Sequence, residues 1–131
     1  MTLSANTGSG LLNVWDDAVA EDITISNGGE LRLNRSGVVV NGAVICSGGK
    51  LVFNSATNDN PSLVADANGA TIDNTIIKAG GSLTFGAGIT SVNTGKKLTL
   101  DFTDGSSIAI NDLGLINGST TVSIEGVGAG T

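Results

Sequence analysis

Carboxylates are the side chains that this sequence places close enough together to act as a set. Asp16-Asp17 and Glu21-Asp22 gather four acids between positions 16 and 22, and Asp101 and Asp104 flank a turn signal further on. Paired acids can divide general-acid and general-base duties, and clustered carboxylate oxygens can collect calcium. A catalytic pair of this kind works beside a proton carrier, yet the chain contains no His and no Tyr. Neither the EF-hand spacing nor the GGxGxD nonapeptide of calcium-binding solenoids occurs. The acids at positions 16 to 22 therefore read as a solvated segment, with no metal or cofactor expected. Cys46 is the single cysteine, so no disulfide closes within the chain. It aligns below with Ser26 and Lys78, which predicts an outward, partly exposed thiol with no activating group, hence inert. Trp15, the single Trp, is expected to cover one end of the core rather than to stack on a sugar.

Composition narrows the classes further. The 131 residues fit one domain, with enough chain to bury a core. Hydrophobic residues make up 40% and charged residues 14%, with 20 Gly and one Pro. That hydrophobic share is too high for a disordered chain, and no apolar run reaches the roughly 18 residues needed to span a bilayer. A net charge of −6, from 12 acidic and 6 basic residues, repels a phosphate backbone, so nucleic acid is not an expected partner. Met1 to Gly10 lack the basic start and apolar centre of a signal peptide. Export would then require the chain to be an internal piece of its parent, or the signal to lie elsewhere.

The elements that must position any site come from a repeat. Ile25-Ser26-Asn27-Gly28-Gly29-Glu30-Leu31-Arg32-Leu33 returns as Ile45-Cys46-Ser47-Gly48-Gly49-Lys50-Leu51-Val52-Phe53, and again as Ile77-Lys78-Ala79-Gly80-Gly81-Ser82-Leu83-Thr84-Phe85. Looser copies run from Val92 through Gly95 to Leu98 and Leu100, from Phe102 through Gly105 to Ile108 and Ile110, and from Ile116 through Ser119 to Val122 and Ile124. A partial copy ends in Leu12 and Val14. Alternation such as Leu31-Arg32-Leu33 sends apolar side chains to one face of a strand and polar ones to the other. The Gly-Gly pairs supply the backbone freedom for sharp turns. One such unit cannot bury its own apolar face, whereas stacked units can.

The leading apolar positions 25, 45, 77, 92, 102 and 116 are separated by 20, 32, 15, 10 and 14 residues. Units near 20 residues with half-length steps predict an all-β, right-handed parallel β-helix of roughly five to six coils forming one domain. A left-handed hexapeptide helix would keep strict multiples of six, which these steps do not. Residues 1–22 form a cap or first coil in this scheme, residues 55–70 an inserted loop around Pro61, and residues 126–131 a tail. The outward column Arg32, Val52, Thr84, Thr99, Ala109 and Ser123 is not a Thr ladder, which argues against ice binding.

The GG-x-L-x-apolar strands, best developed between Gly10 and Phe85, resemble the repeats of AIDA-type autotransporter adhesins. That resemblance implies an exported passenger at the surface of a Gram-negative bacterium, mediating adherence, self-association or biofilm formation. It implies partners such as a host or glycan surface, or further copies paired through strand edges or side faces. It implies no insertion of this segment into the membrane and no enzymatic activity. The alternative is a carbohydrate-contacting β-helix such as a phage tailspike or polysaccharide-active fragment, since pectin hydrolases and lyases share that architecture. The missing His weighs against hydrolysis, and fold alone does not settle function.

Overall fold

A computed structural model of the chain describes residues 2–5, 11–15, 19–26, 29–56, 59–60, 64–78, 80–90, 92, 95, 97–103, 107–111 and 120–125. Their regular structure is strand throughout: β1 (Thr2–Ala5), β2 (Leu11–Val14), β3 (Val19–Ser26), β4 (Glu30–Leu33), β5 (Val39–Ser47), β6 (Lys50–Phe53), β7 (Ser55–Ala56), β8 (Ala65–Asp66), β9 (Thr71–Lys78), β10 (Ser82–Phe85), β11 (Lys97–Asp101), β12 (Ala109–Ile110) and β13 (Thr121–Glu125). Apart from β7 and β8, the chain deals these strands alternately to two parallel sheets. The first has the order β1-β3-β5-β9-β11-β13 and the second β12-β10-β6-β4-β2. Parallel neighbours cannot be joined by a tight turn, so each strand pairs with one from the preceding or following pass of the chain.

Period-2 alternation becomes burial. In β4, β6 and β10 the Leu and Phe positions are buried and their intervening neighbours are not. Register then stacks like on like. In the second sheet Leu31, Leu51 and Leu83 align, as do Val14, Leu33, Phe53 and Phe85. In the first sheet Ile23, Val44, Thr75 and Leu98 form one column, and Ile25, Cys46, Ile77 and Leu100 another. Side chains from both sheets meet in one buried cluster, with Phe102, Ile108 and Ile110 packed partly buried against it.

The two glycines of each turn pair do different work. Gly48 and Gly80 have φ of 82° and 87°, a region that residues with a Cβ rarely enter. Gly49 has no room for a side chain, because a Cβ there would lie 2.6 Å from both Gly29 O and Ile25 Cγ2. Gly28 and Gly105, also expected at turns, lie outside the described residues.

Three expectations need correction. First, Ile45 is not a core residue: Cys46 is fully buried and pairs with both Ile25 and Ile77, leaving Ile45 half-exposed on the outer face. The turn after β5 is one residue shorter than its equivalents, so Cys46 lies five positions before Leu51, whereas Ile25 and Ile77 lie six before Leu31 and Leu83. A Cβ on Gly81 would meet Cys46 Sγ at 3.2 Å; the thiol already fills the space beneath that turn.

Second, Leu98 and Leu100 belong to the first sheet, opposite Thr75 and Ile77, and are not equivalents of Leu31 and Leu33. Val122 and Ile124 follow them in register. Ile110 pairs with Leu83 and so takes the first apolar position of its strand, not the second. With this register the column Ile25, Cys46, Ile77, Leu100, Ile124 advances by 21, 31, 23 and 24 residues. The irregular short steps disappear. The signal that locates these strands is a corner, since Ser36-Gly37-Val38, Asn68-Gly69-Ala70 and Ala87-Gly88-Ile89 each end in a buried apolar residue.

Third, the excess around Pro61 is only partly a loop. β7 and β8 pair antiparallel as a small hairpin, and the chain is clamped where it returns, with Ala67 N donating to Asn54 O at 2.9 Å. Ala67 and Ala70, placed in the loop from sequence, are buried within the common core. Pro61 itself lies outside the described residues.

Candidate functional site

The acids singled out by sequence do not form a described site. Asp16, Asp17 and Asp104, and the side chains of Glu21 and Asp22, lie outside the described residues. No group of three or more His, Cys, Asp or Glu that could hold a metal occurs among the described residues. Asp101 serves its own turn. Its Oδ1 accepts hydrogen bonds from Thr103 Oγ1 at 2.5 Å and Thr103 N at 2.9 Å. These bonds, with a smaller contribution from the nearby Lys78 ammonium, hold its carboxyl below the usual carboxylate range. Its bonded form is complete above the ordinary Asp value of about 3.9 and is lost as pH falls through the lower folded value.

Cys46 is buried, its Sγ 3.9 Å from Ser82 O. Removal from water disfavours the thiolate and pushes the thiol's pKa up, against smaller opposing contributions from the Ser82 and Gly49 backbone. A nucleophilic role needs the thiolate and access, and the core denies both. Native protein is expected to react with a thiol reagent at least about a hundredfold more slowly than the urea-unfolded chain. Equal rates would place Cys46 outside the core.

Trp15 is half-buried, and the Arg35 guanidinium lies 5.0 Å from its ring centroid. That cation–π contact covers the ring on one side, which leaves less of it for stacking on a sugar. Glu30 and Arg32 form an ion pair along β4.

Asparagines, which sequence reasoning passed over, carry the most connected polar structure. Asn34 is fully buried. Its Nδ2 donates towards Asn13 Oδ1 at 3.2 Å, and towards the carbonyls of Val14 and Arg32, each at 3.3 Å. Its Oδ1 accepts from Asn54 Nδ2 at 2.9 Å. The spacing Asn13, Asn34, Asn54 matches the pass length and is the signal that would have found it. Amide side chains stacked this way hydrogen-bond along the strand-stacking direction. At the next pass the corner is Gly86, where a Cβ would lie 2.6 Å from Ser55 N, so the ladder stops. Asn34→Ala leaves buried partners unsatisfied and is expected to cost about 1–3 kcal/mol, read from urea denaturation. A loss under about 0.5 kcal/mol would mean that water replaces the amide.

A second network lies on the surface beside the hairpin. Asn68 Nδ2 donates to Asp66 Oδ1 at 2.9 Å and to Gly88 O at 3.0 Å, and Asn68 Oδ1 accepts from Thr90 N at 2.7 Å. These groups tie the hairpin's return to the following corner.

What remains is surface. The six outward residues grouped from sequence do not form one row: Arg32, Val52 and Thr84 align in the second sheet, while Thr99 and Ser123 lie in the first. Ala109 stands beside Ser82. The first sheet instead carries Thr24, Ile45, Ile76, Thr99 and Ser123 in register, and within that row Thr99 is buried rather than outward as expected. At its β13 edge, Val122 and Ile124 are 46% and 63% exposed although they occupy interior positions of the register. These are the described features that lack an internal job.

The chain matches no protein-family model, no curated protein and no solved structure.

Proposed function

We propose that the two parallel sheets are the walls of a right-handed parallel β-helix, and that the chain is a non-enzymatic structural and adhesive segment. The observation that carries this is the in-register stacking of successive passes. Each pass places an apolar residue, or in one case Thr75, at the same column position. Such a stack gains stability pass by pass and presents long, regular outer faces. The polar groups support the same reading by what they do: Asn34, Asn68 and Asp101 satisfy backbone and turns, and the thiol is buried. The setting that fits is the exposed surface of a Gram-negative bacterium, where the segment mediates adherence or self-association.

The test is to display the chain on bacterial cells and measure settling and attachment to glycan-coated and bare surfaces. The soluble chain is incubated in parallel with acidic polysaccharides. Faster settling or attachment without release of new sugar ends supports the reading. Release of sugar ends overturns its non-enzymatic part, and unchanged settling and attachment overturn its adhesive part.

A further inference from the structure

Asn41-Gly42 and Asn68-Gly69 are two Asn-Gly steps that both lie among the described residues. In each the glycine has a positive φ, 74° at Gly42 and 88° at Gly69, and in each an Ala follows. The two asparagines differ in what holds them. Asn68 uses both ends of its amide, towards Asp66, Gly88 and Thr90. Asn41 is exposed, and its side chain makes no hydrogen bond among the described residues.

The sheet does not hold the step either. Between Val40 and Ala43, β5 carries Asn41 and Gly42 where β9 carries only Asp73 between Ile72 and Asn74. Gly42 has no register partner on β3, whose Glu21 and Ile23 face Asn41 and Val44. This is a bulge, in which the extra residue leaves the ladder and the strand bends.

We propose that Asn41-Gly42 is a site of spontaneous covalent modification, where the folded chain converts Asn41 to aspartyl and isoaspartyl forms. Hydroxide takes the Gly42 N–H proton, and the nitrogen attacks Asn41 Cγ. The Cγ–Nδ2 bond breaks, Nδ2 leaves as ammonia with a proton from water, and hydroxide is restored. The product is a succinimide ring. Water then opens it at one of its two carbonyls, and the ring nitrogen regains its proton. Opening at Cγ leaves the normal chain, whereas opening at the backbone carbonyl reroutes the chain through Cβ and Cγ. The attack is intramolecular, so its rate depends on how readily the amide swings onto the next nitrogen. The bulge leaves Asn41 free to do so, while Asn68 must first release its hydrogen bonds.

Either product adds a carboxylate to the outer face of the first sheet, in register with Glu21 and across from the exposed Asp73. Like charges side by side on a sheet are unfavourable, so the converted chain is expected to melt at a lower temperature. The modification needs no partner and stands apart from the adhesive role.

The full chain is incubated at mildly alkaline pH, folded and in guanidinium chloride. Samples taken over weeks are read by peptide mass spectrometry that separates isoaspartyl from aspartyl products. In the folded chain Asn41 is expected to convert at least about tenfold faster than Asn68, whose release costs several hydrogen bonds. In denaturant the two are expected to convert at similar rates, since Asn-Gly-Ala is common to both. Asn41→Gln, whose longer side chain closes a ring far more slowly, is expected to abolish conversion at position 41 and the accompanying loss of melting temperature. Equal rates at Asn41 and Asn68 in the folded chain overturn the proposal. So does an Asn41 that stays intact in the folded chain while the unfolded chain converts.

Discussion

Phe53→Ala is expected to lower the unfolding free energy by about 3–5 kcal/mol, the range for deleting a buried aromatic ring from a packed core. Phe53 is fully buried, flanked in register by Leu33 and Phe85. Its ring stacks on that of Phe85 with centroids 5.5 Å apart and planes 21° from parallel. The neighbours have little freedom to close the hole. Asn54 N bonds to Leu33 O at 2.9 Å and Gly86 N to Phe53 O at 2.8 Å, so backbone hydrogen bonds fix the spacing on both sides. Against a typical domain stability of about 5–15 kcal/mol this is a large fraction. Phe53→Leu, which keeps much of the volume, is expected to cost under about 1.5–2 kcal/mol. Urea denaturation of both variants provides the check, through the shift in midpoint at constant slope. An alanine variant that loses less than about 1 kcal/mol would show that the two sheets do not enclose a tightly packed interior.

Gly95→Ala is expected to cost roughly 2–5 kcal/mol, from two separate sources. The residue has a φ of 102°, which an L side chain adopts only under strain. A Cβ there would also lie 2.0 Å from Asp73 O and 2.6 Å from Ile72 O. Those are backbone atoms within the first half of β9, and they cannot swing aside as a flexible side chain would. Gly80→Ala separates the two causes. Its φ is 87°, but the nearest atom to an added Cβ is Gly48 Cα at 3.7 Å, an ordinary contact. That variant should lose only the conformational part, about 1–2 kcal/mol. Thermal melts of the pair give the comparison, and equal losses would show that the close approach to Asp73 does not exist in solution.

Much of the strand content was legible because it depends on neighbours in sequence. Leu31-Arg32-Leu33, Leu51-Val52-Phe53 and Leu83-Thr84-Phe85 each announce one buried face by their alternation. An alignment of the repeat on its glycines places Cys46 on the wrong face, because it hides a one-residue difference in turn length. With a period of two, one residue moves every side chain to the other face. Gly95, Leu98 and Leu100 imitate the Gly-x-x-Leu-x-Leu pattern closely enough to be assigned to the wrong sheet. The corner motif at Gly37-Val38, Gly69-Ala70 and Gly88-Ile89 would have corrected this, but its signal is two residues long. The asparagine ladder is not legible in sequence for a related reason: Asn13, Asn34 and Asn54 stand in unremarkable local contexts, and only their stacking makes them a unit. The candidate acids were legible as a cluster, but carboxylate spacing in sequence does not say where the oxygens point.

From its residues alone this chain determines strands with one apolar face, sharp glycine turns between them, and a repeat that must bury those faces against one another. Those are local consequences of side-chain alternation and of the conformations open to glycine. Only the tertiary structure decides which sheet receives each strand, that Cys46 rather than Ile45 enters the core, and that Val122 and Ile124 stand exposed at an edge. Each of these depends on the partner one pass away, and hydrogen-bond register between passes is set by the whole stack rather than by any segment within it.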